Sequence, residues 1–323
     1  MHDMGRIGLI SNVHSHQNRR GMTALRAAAA SQSRIAHIEI DGIDGIGEVL
    51  RDFARRDIRV VALNGGDGTV QALLSALIND APFERPPRLA ILPGGMTNLI
   101  AHDIGLKGGR ERSLERLVQA VKDGHGGTEM VRHVLSMRLD PAEAPIHGLF
   151  FGTAAFYRAV MFSRRTIQPA GLDRSAAFAS SLALIVLRAL FGRAGADDLF
   201  RGERFSIALD GTDHGPAKDH LIFLATTLSR LPFGLMPFWG EGPGRCRYTH
   251  IESPPPRLRA ALLPVLRGRP RPWMAANGYR SGRAEEIALR VTSPIVLDGQ
   301  IFTPRPDHPV TLRADHEVLF LRC

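Results

Sequence analysis

Asp67 stands among three glycines in the run Ile58-Arg-Val-Val-Ala-Leu-Asn-Gly-Gly-Asp-Gly-Thr69, directly after an apolar stretch of strand length. Gly65, Gly66 and Gly68 carry no Cβ, so the backbone there can adopt positive φ and its N–H groups can come close to an anion. Thr69 is expected to open a helix. A helix N-terminus presents unpaired N–H groups and a partial positive charge, which suit a phosphate. A carboxylate among such amides repels phosphate, so Asp67 makes sense chiefly with a Mg²⁺ ion or a hydrogen-bond network between them. The plainer alternative is a tight strand-to-helix turn with an aspartate cap, and one glycine motif does not decide between the two.

A second loop adds weight to the first. Residues 88 to 98, Arg-Leu-Ala-Ile-Leu-Pro-Gly-Gly-Met-Thr-Asn, repeat the order of buried strand, glycine turn and polar helix start. Val60, Val61 and Leu63 show no alternating polar face, as expected of a strand covered on both sides of a parallel sheet. Further strands are expected at Arg6–Ser11 and Arg34–Ile40, with helices through Ala30, over Ile46–Phe53 and over Arg110–Lys122. This alternation implies a doubly wound parallel sheet, an α/β fold that binds ligands in a crevice at the carboxyl ends of its strands. Asn12, Ser15 and the histidines His14 and His16 lie on the polar loop after the first strand. Two histidines without a third ligand read as solvated, and Asp41 reads as a helix cap.

Gly-Gly-Asp-Gly-Thr at 65–69 with Pro-Gly-Gly-Met-Thr-Asn-Leu-Ile-Ala at 93–101 resembles the catalytic domain of the diacylglycerol kinase and sphingosine kinase superfamily. The first motif is shared with NAD kinases; the second points to the lipid-kinase branch. The resemblance implies an ATP-dependent lipid kinase that phosphorylates a hydroxyl of diacylglycerol or a related lipid, with ATP and Mg²⁺ as cofactors. Carried onto this sequence, Gly65, Gly66, Gly68 and Thr69 cradle the phosphates. Gly95, Thr97 and Asn98 complete the far wall, Asn12 matches a polar position of the first loop, and Asp67 holds the metal. Ile295-Val-Leu-Asp-Gly-Gln-Ile-Phe resembles the turn that closes the site, with Asp298 and Gly299 matching. Gln300 replaces the glutamate expected as proton acceptor, and a carboxamide cannot accept a proton at neutral pH. Asp298 is therefore assigned that task, and Gln300 stands with it in the catalytic set. The loop departs from the family's pattern as well, with Met96 after the glycine, Thr97 one place later and Leu99 where an aspartate is common. Two rival readings follow: an NAD kinase-like enzyme, and a nucleotide-binding pseudokinase at a membrane surface.

The chain has 323 residues, enough for two domains with separate cores. A boundary is expected at the glycine-rich stretch 124–127, giving a nucleotide-binding domain at 1–127 and a lipid or acceptor domain at 128–323 whose last strands can return to the first. Strands expected at Met130–Leu139, Gly148–Gly152, Arg204–Leu209, His220–Thr226, Ile287–Val291 and Ile295–Leu297 mark the second domain as antiparallel and β-rich. Two more are expected at Pro309–Leu312 and Glu317–Leu321. The resemblance implies a β-sandwich here, with an inserted helix at Ala176–Phe191. Relatives often have an Asp-Asp-Gly turn near Met236–Arg245; its aspartates are missing, so no structural metal is assigned.

A net charge of +9 favours anionic partners, and the absence of nucleic-acid-binding motifs sets nucleic acid below nucleotide and membrane. Arg257, Arg259, Arg267, Arg269 and Arg271 gather near Trp273, an edge that reads either as a merely solvated basic surface or as one that could rest on an anionic membrane. Two cysteines supply neither a disulfide framework nor a metal cluster. Without a signal peptide or a spanning segment, the expectation is a cytoplasmic chain, peripheral at the inner face of the membrane. Walker, dinucleotide-fingerprint and nucleophile-elbow motifs are all missing.

Overall fold

The computed structural model describes residues 6–95, 98–106, 108–124, 127–166, 200–213 and 215–323. Thr97 and the helix expected at 176–191 lie outside the described residues. The chain divides into two compact units, one of residues 1–134 with 316–323 and one of residues 135–315. The division falls at 134/135 rather than at 127, inside a strand rather than in the glycine run.

In the first unit β1 (Ile7–Asn12), β2 (Ile35–Ile40), β3 (Val60–Gly65) and β4 (Arg88–Pro93) run parallel in the order 2-1-3-4. Near the carboxyl terminus Phe320 pairs in parallel with Leu89 on the outer side of β4. Every residue of β1 and β3 is buried, which explains why their apolar runs are continuous rather than alternating. Val60, Ala62, Ala90 and Leu92 face α1 (Thr23–Ala30) and α5 (Arg110–Lys122), where Leu25, Leu114, Leu117, Val118 and Val121 complete one core. α2 (Ile46–Arg55) and α3 (Asp67–Asp80) pack on each other and bury Leu50, Phe53, Leu73 and Leu74. Gly8 lies under the Phe53 ring, and any Cβ there would collide with it. The chain leaves β1 for β2 on one side and then returns to β3 on the other. The crevice at the carboxyl ends of β1 and β3 is thus the topological switch point, where sheets of this kind bind ligands.

α4 (Leu99–Ile104) follows the turn after β4, and β5 (Thr128–Arg138) leads out of the first unit. The second unit is mainly antiparallel. It holds β6 (Ile146–Gly148), β7 (Phe150–Ala154), β8 (Glu203–Leu209), β9 (Thr212–Asp213), β10 (Lys218–Thr226), β11 (Cys246–Glu252), β12 (Tyr279–Ala284), β13 (Glu286–Arg290), β14 (Ile295–Leu297) and β15 (Gln300–Phe302). Their order is 15-14-7-10-8-13, with β11 and β12 continuing from β10. The last strand, β16 (Val310–Arg322), is single where the sequence reading expected two, and its residues Val310–Arg313 pair with β13. Phe151, Phe205, Phe223, Ile287, Leu289 and Leu312 centre the core of this unit. Beside it α6 (Ala155–Thr166) follows β7, and α7 (Leu258–Leu266) lays Ala261 and Val265 against Leu221, Ile251 and Tyr279.

Candidate active site

Asn64 and Gly65 remain within β3, and α3 opens at Asp67, two residues earlier than the sequence reading placed it. Gly66 alone makes the turn, at φ −92° and ψ 178°, and neither Gly65, Gly66 nor Gly68 takes the positive φ that glycine permits. Their lack of a side chain serves close packing instead. A Cβ on Gly95 would stand 2.6 Å from the Gly66 Cα, and one on Gly94 would stand 2.7 Å from the Gly65 nitrogen. The two glycine turns therefore lie backbone against backbone, tied by Gly94 N–H to the Gly65 carbonyl at 3.1 Å.

Asp67 makes the second tie. Its Oδ1 accepts the Ile100 N–H at 3.0 Å and its Oδ2 accepts the Leu99 N–H at 3.2 Å, so the carboxylate caps the first turn of α4. Burial pushes its pKa up to about 6, against the two amide hydrogen bonds that favour the charged form. Asn98 closes the second turn from inside, its Oδ1 accepting the Gly95 N–H at 2.8 Å while its own backbone sits at φ 48°. Asparagine is among the few residues that tolerate this left-handed conformation.

The loop after β1 packs on both turns. Ser15 Oγ accepts the Gly66 N–H at 3.3 Å, Gln17 N–H donates to the Gly94 carbonyl at 3.1 Å, and Asn12 Nδ2 donates to Thr69 Oγ1 at 3.1 Å. The sequence reading missed what lies beneath. Asn64 Nδ2 donates to Asn18 Oδ1 at 3.0 Å and to Ser11 Oγ at 3.2 Å, Asn18 Nδ2 donates to the Asn12 carbonyl at 2.6 Å, and Arg110 Nη1 donates to Asn18 Oδ1 at 2.6 Å. The available signal was an asparagine closing each of two buried strands, a residue that burial disfavours unless hydrogen-bonded. His14 pairs with the exposed Asp41 at the rim.

Of the expected site residues, Asn12, Gly65, Gly66, Asp67, Gly68, Thr69, Gly95 and Asn98 come together at this switch point. Asn12 and Thr69 are buried and bonded to each other, so they build the floor rather than the surface. Gly66, Asp67, Gly68 and Asn98 are half-buried and form its reachable part. The start of α3 offers backbone N–H groups there, and the nearby loop holds a buried donor, Gln17 Nε2, with no hydrogen-bond partner among the described residues. Both features fit a bound anion. For a metal, no group of three or more His, Cys, Asp or Glu able to hold an ion occurs among the described residues. One carboxylate fits Mg²⁺ only as the ion is commonly held by nucleotide enzymes, through one or two carboxylates and the phosphates themselves.

In the second unit Asp298 is 4% exposed. Its Oδ2 and Oδ1 accept the N–H groups of Leu149 and Phe150, each at 2.8 Å, and its own N–H donates to the Phe150 carbonyl at 2.9 Å. At φ 48°, followed by Gly299 at φ 82°, it makes the turn between β14 and β15. This is the setting of a residue that fixes the turn against the start of β7, and it does not show the proton-accepting task assigned to Asp298. Gln300 is half-buried at the start of β15, and Arg164 of α6 donates to the Gly299 carbonyl beside it.

A parallel sheet ordered 2-1-3-4 with glycine turns at its switch point defines a doubly wound α/β domain. Residues 6–125 match the family model described as the diacylglycerol kinase catalytic domain. Among solved structures, a protein of Bacillus anthracis strain Sterne, provisionally described as a diacylglycerol kinase, superposes with a TM-score of 0.62 at 14% identity, covering 98% of this chain and 94% of that one. Another from the same strain, described as a diacylglycerol kinase, gives a TM-score of 0.60 at 14% identity, covering 98% and 96%. At such identities the likeness is one of fold, and it extends over both units. No curated protein matches the chain in sequence. No helix among the described residues is long and apolar enough to cross a membrane.

Proposed function

We propose that this chain is an ATP-dependent lipid kinase that transfers the γ-phosphoryl group of ATP to a hydroxyl of diacylglycerol or a related lipid. The observation that carries this reading is the pair of glycine turns locked together through Asp67 at the switch point of a segment that matches the diacylglycerol kinase catalytic domain model. The half-buried turn Gly66–Gly68 supplies amides for phosphate oxygens, and Asn98 holds Gly95 against it. Asp67 would hold Mg²⁺ together with the phosphates; the ion, when bound, neutralises charge on the transferring group. Phosphoryl transfer passes through a loose transition state in most analyses, so positioning and charge neutralisation contribute more than proton removal from the acceptor. In this reading Asp298 is a positioning residue that fixes the turn carrying Gln300.

The test is incubation of the purified chain with γ-labelled ATP and Mg²⁺ against short-chain diacylglycerol in mixed micelles, a panel of other lipid alcohols, and NAD. A labelled lipid phosphate is the expected product. Label transferred to NAD, or ATP bound with no acceptor phosphorylated, would reject the proposal.

A further inference from the structure

We infer that the outer face of α7, with the neighbouring loop at 230–236, is a docking surface for an anionic lipid bilayer. Between Glu252 and Glu285 the sequence has seven arginines and no acidic residue. Arg257, Arg259, Arg267, Arg269 and Arg271 are exposed, and none of the five has a carboxylate partner among the described residues. Arg257 instead lies over the Trp273 ring, 5.7 Å from its centroid.

Helix stability does not account for this arrangement. Arg257 caps the amino end of α7 and Arg259 sits in its first turn, where positive charge opposes the helix dipole. The outer face is also apolar. While Ala261 and Val265 pack inward, Leu263 is 63% exposed and Leu262 and Leu266 are half-buried. A second exposed apolar residue belongs to the same edge. Phe233 is 52% exposed and sits at φ 59°, a conformation that costs a bulky side chain energy. Three residues on, Met236 N–H donates to the Leu266 carbonyl at 2.9 Å and fixes this loop to the end of α7. Large apolar side chains collared by unpaired arginines are the composition of an interfacial element, in which the former enter the acyl boundary and the latter meet anionic headgroups. A nucleic acid would use the arginines but gain nothing from Leu263 and Phe233.

Docking supports the proposed lipid acceptor but is measured apart from it. Sedimentation with vesicles of phosphatidylcholine alone, or mixed with phosphatidylglycerol, is run without ATP; activity is followed separately on short-chain diacylglycerol in micelles. The wild type is expected to bind only the mixed vesicles, and less as salt rises. An arginine near an anionic surface contributes about fivefold, so Arg259→Glu/Arg267→Glu/Arg269→Glu is expected to lose roughly 100-fold or more in binding. The matching triple Arg→Lys variant is expected to keep most of it. Leu263→Asp and Phe233→Asp are each expected to lose about tenfold while keeping the preference for anionic vesicles. Micelle activity and the circular dichroism spectrum stay unchanged in all four. Equal binding to both vesicle types, wild-type binding by the Glu triple variant, or binding to duplex DNA but not to vesicles would overturn the inference. Vesicle binding without any kinase activity would leave it standing and remove the proposed function.

Discussion

Asp67 and Ile100 are joined by a hydrogen bond of 3.0 Å from amide to carboxylate, and the Leu99 amide takes the other oxygen at 3.2 Å. The aspartate that looks like a metal ligand in the sequence is thus also the clamp between the two glycine turns. Hydrogen bonds to a charged group contribute ~1.5–3 kcal/mol each, and desolvation of the carboxylate offsets part of that. Asp67→Ala is therefore expected to lower stability by ~1–3 kcal/mol and turnover by ~10²-fold or more. Thermal melting and steady-state kinetics on the same preparation check both effects. Full turnover in a folded Asp67→Ala protein would remove Asp67 from the site altogether.

Gly95 and Gly66 offer a comparison within one contact. A Cβ on Gly95 meets backbone at 2.6 Å, which forces a shift, whereas one on Gly66 meets it at 3.2 Å and needs only a small adjustment. Gly95→Ala is expected to cost ~1–3 kcal/mol and to weaken ATP binding at least tenfold, with Gly66→Ala milder on both measures. Calorimetric titration with ATP ranks them. The reverse order would mean that the turns do not work as a packed pair.

What the sequence made legible follows from how each signal is encoded. Continuous apolar runs such as Val60–Leu63 announce strands buried on two faces, and glycine turns after them announce the crevice. The start of α3 was misplaced because one residue, Gly66, suffices for a turn that glycine content made look longer. The role of Asp67 was only half visible, since its partners are backbone amides and any residues but proline at 99 and 100 would supply them. β12, Tyr-Arg-Ser-Gly-Arg-Ala, went unnoticed because only Tyr279, Gly282 and Ala284 are buried and just one is large. β16 read as two strands because Arg313, Asp315, His316 and Glu317 are exposed in its middle.

His220 gives the fold a pH dependence of definite sign. It is 4% exposed, stacked on Phe205 at 4.3 Å, and burial lowers its pKa to about 4, mainly by desolvation of the charged form. Between the ordinary value of 6.5 and about 4 the unfolded chain binds a proton that the folded one does not, so stability falls as pH falls through that window. The loss is of order 2–3 kcal/mol. Asp67 acts oppositely, because its raised pKa of about 6 means that acid relieves the cost of burying its charge. Denaturant unfolding from pH 7 to pH 4 is expected to show a shallower fall for His220→Phe and a steeper one for Asp67→Asn. Parallel curves for wild type and His220→Phe would show that this histidine does not titrate on unfolding.

Asp298 and Gln300 separate a positioning residue from a missing base. Asn tolerates φ 48° as Asp does, so Asp298→Asn leaves the turn geometry acceptable while setting an NH₂ group against the Leu149 or Phe150 amide. It is expected to cost ~1.5–3 kcal/mol of stability, with activity falling as the folded fraction falls rather than through a new pH profile. Asp298 is buried with both oxygens accepting from the backbone, and the half-buried side chain beside it, Gln300, is a carboxamide that cannot accept a proton at neutral pH. A positioned general base contributes typically ~10²–10⁴-fold, so Gln300→Glu is expected to raise turnover by about tenfold or more at unchanged stability, with a new dependence on a group of carboxylate pKa. Rates measured from pH 4 to pH 8 on both variants decide the matter. A rate unchanged in Gln300→Glu together with a complete loss in a stably folded Asp298→Asn would return the proton to Asp298, against the geometry described above.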